Sequence, residues 1–296
     1  MIVLVWAPSA KSVELVTAEH RIALVPGADG EWQGDVEESL VQGGYRYSID
    51  GGGPIPDPRS RWQPDGVHGA SYPVGALRPR DAAVEQRPLR ESVIYELHVG
   101  TFTPEGTYAA AQTKLAHLID LGITHIELMP LATFPGRRGW GYDGVDLYAP
   151  FPAYGTPQEL AAFVDACHAL GLAVLLDVVY NHLGPDGNYL GQYGPYFTDR
   201  YRTPWGAAIN YDGAHSDAVR RFFIDNALMW LRDYGFDGLR LDAIHAIFSF
   251  DAVHVLEELA TAVRELAEGL RRSFVLIAES DLNDPRLVRP PSRGGF

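Results

Sequence analysis

The chain has 296 residues, enough for one large domain or for a small domain joined to a larger one, with ample core in either case. Hydrophobic residues make up 46% and charged residues 21%, an ordinary globular balance, while the net charge of -14 argues against nucleic acid or an anionic membrane as partner because polyanions are repelled. The single cysteine, Cys167, excludes an intrachain disulfide; with His168 it falls in a helical pattern, on the apolar face, and reads as core packing rather than a metal ligand.

The opening MIVLVW lacks a preceding basic region and is far shorter than the ~18 apolar residues that span a bilayer, so no membrane segment and a cytoplasmic location are expected. Up to residue 85, short β-branched and aromatic runs (VELVTA, RIALV, YRYSID) alternate with turn-rich stretches (PGADGEW, DGGGPIPDPRS), which predicts a small all-β sandwich over 1–85. From 86 to 296 the rhythm changes. SVIYELHVGTF (92–102) precedes a helical stretch ending near Leu121, and THIELMP (124–130) precedes a helix over 157–170. LAVLLDVVY (172–180) precedes a helix over 217–234, GLRLDA precedes one over 251–269, and FVLIAES (274–280) follows. Alternation of this kind predicts an α/β fold with a parallel sheet. The helix at 157 is the best specified: Thr156 is an N-cap, Pro157 occupies the first helical position, Glu159 completes a capping box, and Gly171 ends the run.

Helix-to-strand connections are short, whereas 131–156 and 181–216 are long and show no secondary structure of their own. Both leave the carboxyl end of a strand, where barrels and doubly wound sheets place their sites. HVGTFTPEGTY lacks the closely spaced glycines of a dinucleotide fingerprint and no phosphate loop occurs, so a barrel is favoured and no cofactor is expected.

Polar groups recur at the same rim: Asp177, Asn181 and His182 after the third strand, Arg240 and Asp242 on the fourth, Glu279 on the fifth. Residues two apart in a strand share a face, so Arg240 and Asp242 are either a buried ion pair or half of an active site. A carboxylate pair on adjacent strands could serve glycoside hydrolysis, with Arg240 keeping Asp242 ionised as a nucleophile and a less solvated Glu279 holding its proton. The loops RRGWGYDGVDLY and NYLGQYGPYFTDRYRTPWG supply flat rings suited to pyranose faces, Trp140 among them.

DVVYNH, GLRLDA and AES, in that order on successive strands, resemble three motifs of the α-amylase superfamily, whose fold is a (β/α) barrel. The resemblance implies that Asp242 is the nucleophile, Glu279 the general acid/base and Arg240 the residue that orients the nucleophile. It also implies that His182 and Tyr142 bind the sugar at the cleavage point and that His245 touches the leaving-group side; Asp177 reads as structural. Asn181 ligates calcium in some members, but no matching set of oxygen ligands is evident, so no metal is expected. Within the superfamily, FTPEGTY, NHLGPDGNYL, TPWGAAINYDG and AESDLNDPR resemble the malto-oligosyltrehalose trehalohydrolase family, and VWAPSAKSVEL its amino-terminal module. The implied substrate is malto-oligosyltrehalose or another malto-oligosaccharide; branching and debranching enzymes share the general motifs. The expected architecture is therefore a sandwich followed by a partial TIM-type barrel with about five of its eight strands. The implied third carboxylate has no counterpart before Phe296, so the chain reads as a fragment that is inactive alone, or as a binder that has lost catalysis. Oligomeric state is left open.

Overall fold

The computed structural model describes residues 1–77, 88–290 and 293. Six strands build the amino-terminal part: β1 (Ile2–Trp6), β2 (Val13–Val16), β3 (Arg21–Ala23), β4 (Val25–Pro26), β5 (Glu31–Asp35) and β6 (Arg46–Ile49). They form two three-stranded antiparallel sheets, ordered β1-β5-β4 and β3-β2-β6. Alternation explains the layering: Val3 and Val5 of β1 and Val13 and Leu15 of β2 are buried while their neighbours face outward. The turn-rich GEW is a correction to the sequence reading, because Glu31 starts β5 and Trp32 is buried with its indole N–H donating to Ala7 O at 3.1 Å. The expected boundary between 85 and 86 lies outside the described residues.

Nine further strands follow: β7 (Ile94–Leu97), β8 (His125–Leu128), β9 (Ala132–Thr133), β10 (Asp146–Pro150), β11 (Ala173–Val178), β12 (Phe197–Thr203), β13 (Gly206–Ile209), β14 (Gly238–Leu241) and β15 (Val275–Ala278). The principal helices are α1 (Tyr108–Gln112), α2 (Leu115–Asp120), α3 (Pro157–Ala169), α4 (Ser216–Asp233) and α5 (Val255–Leu270). A five-stranded parallel sheet in the order β15-β14-β11-β8-β7 is the core. Every residue of the central β11 is buried, as both faces of a parallel strand require, and α3 packs behind it. The capping box at Thr156 and Glu159 is formed on both sides, with Glu159 N donating to Thr156 Oγ1 at 3.2 Å and Thr156 N to Glu159 Oε2 at 2.7 Å. Cys167 is fully buried, and His168 Nε2 lies 2.8 Å from Asp237 Oδ2, which ties α3 to the start of β14.

Several expectations need correction. Between β7 and β8 the chain forms three short helices, Val99–Phe102 (within the strand expected to reach 102), α1 and α2, and the helix expected from 251 starts at Val255 behind a loop. More consequentially, 131–156 contains the β9–β10 pair and 181–216 contains the antiparallel β12–β13 hairpin. Neither announces itself by periodicity: β9 has two residues, and β12 is FTDRYRT, with no buried residue in its seven. Among the described residues no helix is long and apolar enough to cross a membrane.

Candidate active site

In parallel register Asp177 faces Arg240, and Arg240 faces Ile277, so alternate residues of β11, β14 and β15 share the inner face of the sheet. Continuing one step past the strand ends brings Asp242 beside Glu279: Glu279 N donates to Leu241 O at 3.0 Å and Asp242 N to Val178 O at 3.1 Å. Immediately after Asp242 the chain turns sharply at Ala243, which holds a left-handed φ of +44°. That turn aims the Ala243 N–H at Glu279 Oε2, 2.7 Å away, and lets Ile244 N donate to Glu279 O at 3.0 Å.

Arg240 is the hub. Its Nη1 donates to Asp177 Oδ2 at 2.7 Å and to Asp242 Oδ1 at 2.9 Å, and its Nη2 lies 3.7 Å from Glu279 Oε2. Burial alone would lower the guanidinium's pKa, but the bond to Asp177 and the charges of Asp177 and Asp242 hold it above the ordinary value, so it stays charged. Asp177 is fully buried. Burial pushes its carboxyl up to about 6 against the opposing bonds from Arg240 and Tyr142, which leaves it ionised at neutral pH. It works as a support: Tyr142 donates its O–H to Asp177 Oδ2 at 2.9 Å, and burial followed by the Asp177 charge raises the phenol well above its usual value. Gly141 makes this approach possible, since it has a φ of +96° and a Cβ there would stand 2.3 Å from Pro130 O.

Asn181 and His182 complete the floor. Asn181 Nδ2 donates to Asp242 O at 2.8 Å and to Asp242 Oδ2 at 3.0 Å, which leaves Asn181 Oδ1 to accept from His182 Nδ1 at 2.5 Å. This chain fixes the tautomer, and burial lowers the His182 pKa so that the ring is neutral near pH 7. The imidazole stacks on Trp205 at 5.4 Å and 26°, and His245 meets Trp205 edge-on at 6.4 Å. His245 Nδ1 lies 3.9 Å from Asp281 Oδ1.

Of the residues expected from the sequence, the fold gathers Arg240, Asp242, Glu279, Tyr142, Asn181, His182 and His245 at one end of the sheet. Trp140, two residues before Tyr142, is 71% exposed and makes no hydrogen bond or ring contact among the described residues. Glu279 follows β15, the edge strand of the described sheet, and its side chain is 40% exposed, against 16% for Asp242. Sequence reasoning missed two groups. Trp205 sits in the tight turn of the β12–β13 hairpin, within a loop recognised as aromatic but not resolved into roles. Glu127 of β8 lies on the inner face beside Glu96 of β7, and burial, with the charges of Asp177 and Glu96, pushes its carboxyl up to about 7. A lone acid inside THIELMP, matching Asp177 inside LLDVV, was the available signal.

Ion-paired carboxylates at the carboxyl ends of parallel strands, with aromatic rings opposite, suit a neutral polyhydroxylated ligand and displacement at a carbon bearing two oxygens. Comparison with known proteins agrees with this chemistry. Residues 76–202 match the family model of the alpha amylase catalytic domain. The chain is 51% identical over 300 residues to malto-oligosyltrehalose trehalohydrolase of Arthrobacter ramosus, covering 99% of this chain and 52% of that protein. To the same enzyme of Saccharolobus solfataricus it is 45% identical over 293 residues, covering 98% of this chain and 51% of that one. A crystal structure of a putative alpha amylase from Salmonella typhimurium superposes with a TM-score of 0.86 at 44% identity, covering 94% of this chain and 47% of that one. The chain thus spans about half the length of the curated relatives it matches. Motif order, parallel-strand register and similarity over nearly the whole chain agree, and the chain belongs to the α-amylase superfamily.

Proposed function

We propose that the whole protein to which these residues belong is a retaining glycosidase. On this reading it cleaves the α-1,4-glucosidic bond next to the trehalose end of malto-oligosyltrehalose and releases trehalose. The observation that carries the proposal is the position of Arg240 between Asp242 and Glu279 on neighbouring strand ends. Asp242 is the nucleophile: Arg240 and Asn181 hold its two oxygens, which keeps it ionised and fixes its direction of attack on the anomeric carbon. Glu279 gives its proton to the departing glycosidic oxygen and then takes one from the water that breaks the glycosyl-enzyme ester. Tyr142 and neutral His182 border the sugar whose bond is cut, with Trp205 and His245 toward the leaving group.

Residues 1–85 act as a carbohydrate-binding-like module and 86–296 supply part of the catalytic barrel, in a protein we place in the cytoplasm. The exposed Glu279 favours a second reading for these 296 residues taken alone, namely glucan binding with little or no turnover. The test is a product assay. The whole protein is incubated with malto-oligosyltrehalose and, separately, with linear α-glucan, and the 296-residue chain is run beside it. Trehalose from the whole protein at a rate the short chain does not approach is the expected result. Branched glucan in place of trehalose would overturn the specificity in favour of a branching activity, and trehalose at equal rates from both would overturn the requirement for residues outside this chain.

A further inference from the structure

We infer that the seam between the sandwich and α4 is a second α-glucan-binding groove, separate from the carboxylate face, with the Trp6 indole as its platform. The choice of ligand rests on the glucan reading above; the site rests on its own geometry.

Trp6 ends β1, paired across the sheet with Glu31 of β5. Its indole N–H donates to Asp29 O at 3.0 Å, and its ring meets Tyr196 edge-on at 5.2 Å, so its orientation is set before any ligand arrives. Two cavities, of about 210 and about 450 Å³, meet at this residue, and both are lined by Trp6, Glu31, Ala218 and Arg221. Together they fall in the size range of small-ligand sites, ~300–1,000 Å³. Neither is lined by Arg240, Asp242 or Glu279.

The far wall is one face of α4, where Asp217, Arg221 and Asp225 recur every fourth residue. Arg59 is already committed, with Nη1 2.9 Å from Asp225 Oδ2 and its guanidinium 5.3 Å from the centre of the Tyr148 ring. The side chains of Glu31, Asp217 and Arg221 make no hydrogen bond or ion pair among the described residues. An aromatic platform flanked by uncommitted donors and acceptors matches a pyranose, whose apolar face covers a ring while its hydroxyls both accept and donate. The charges decide against an anion. Three carboxylates with no ion pair among the described residues, those of Asp29, Glu31 and Asp217, stand against the one such guanidinium, Arg221, in a chain whose net charge is -14, so a phosphate or an acidic peptide would meet repulsion. Burying a neutral polyol costs no such penalty.

The protein is titrated with maltoheptaose, following binding by calorimetry and the indole N–H resonances by NMR, with Trp6→Ala, Trp6→Phe, Arg221→Ala and Trp205→Ala beside the wild type. Two classes of site are expected. Trp6→Ala and Arg221→Ala should each weaken the same class at least about tenfold, Trp6→Phe should weaken it less, and Trp205→Ala should weaken only the other. Arg221 is exposed on α4, so its variant reads the groove even where Trp6→Ala disturbs the sandwich. Seam variants that titrate like wild type would overturn the inference, as would inorganic phosphate shifting the Trp6 resonance where maltoheptaose does not. Maltoheptaose held at the seam with no class sensitive to Trp205→Ala would keep this groove and sink the proposed active site instead.

Discussion

Replacing Asp242 with asparagine separates a catalytic role from a structural one, because the surrounding bonds set how much stability the change can remove. In a lone buried ion pair, neutralising one partner strands the other and costs about 3–5 kcal/mol. Arg240 is not stranded: Nη1 keeps Asp177 Oδ2 at 2.7 Å and Nη2 keeps Glu279 at 3.7 Å. What is lost is a single charge-assisted bond, since an amide oxygen can face either Arg240 or Asn181 Nδ2 but not both, and its NH2 then opposes a donor. Such a bond contributes about 1.5–3 kcal/mol, and the Asp242 side chain retains 16% exposure through which water can replace part of it. The expected loss is therefore about 2 kcal/mol, a few degrees in melting temperature for a protein of this size. Turnover should fall at least about a thousandfold, because the amide cannot form the glycosyl-enzyme ester. Trehalose release by the whole protein, circular-dichroism melting and binding of unreacted malto-oligosyltrehalose would be measured on the same preparation. A variant that melts far earlier yet turns over near normally while folded would refute the reasoning and leave GLRLDA as core architecture.

Trp205→Ala removes a ring that is 47% exposed, stacked on His182 and edge-on to His245. KM should rise about tenfold with kcat within a few-fold and the melting temperature unchanged, and a kcat-only effect would rule out a binding platform. Glu127→Gln tests the inner acid. Its folded carboxyl holds a proton up to about 7 against an ordinary 4.5, so the folded state binds more protons between these values and stability falls as pH rises through that window. The variant should match wild type near pH 4 and exceed it at pH 8 in urea titrations, and equal stabilities at pH 8 would exclude the burial cost. Arg220→Met breaks bonds from all three guanidinium nitrogens, to Tyr211 O, Val253 O, Ser249, Asp251 and Glu258, which pin the loop before α5 to α4. A loss of about 3 kcal/mol is expected, because the two carboxylates are half-exposed and rehydrate; less than about 1 kcal/mol in denaturant melts would show that the clamp is idle.

Much of this architecture is written locally. The capping box of α3, the apolar runs of β11 and β14, and the short returns from helix to strand depend on neighbours in sequence, and they appear in the fold nearly as the residues predict. Arg240 and Asp242 were legible for the same reason, as period two in a strand puts both on one face. The hairpin was not, because FTDRYRT lies on the surface, where nothing imposes alternation of polar and apolar residues. Ring exposure is likewise a tertiary property: Trp140 and Trp205 occupy comparable glycine-flanked loops, and only the second is folded back over His182. The solvation of Glu279 depends on how many strands surround the side chain, which no local pattern reports.

The sharp turn at Ala243 also limits how this site could be re-engineered. Asp242 and Glu279 hang from adjacent strands about 4.8 Å apart, and the N–H of Ala243 fastens the second carboxylate to the backbone of the first. Their spacing is thus a property of the sheet, beyond the reach of rotamer choice or loop redesign. Room for a water between them, the ~6.5–9.5 Å that inversion of configuration requires, can come only from shortening a side chain. Asp242→Gly would open that room and accept a small external anion such as azide in place of the missing carboxylate, whereas Asp242→Glu would push the oxygens into the Ala243 turn. Replacing Ala243 itself with a β-branched residue, for which a φ of +44° is strained, would let both carboxylates drift together.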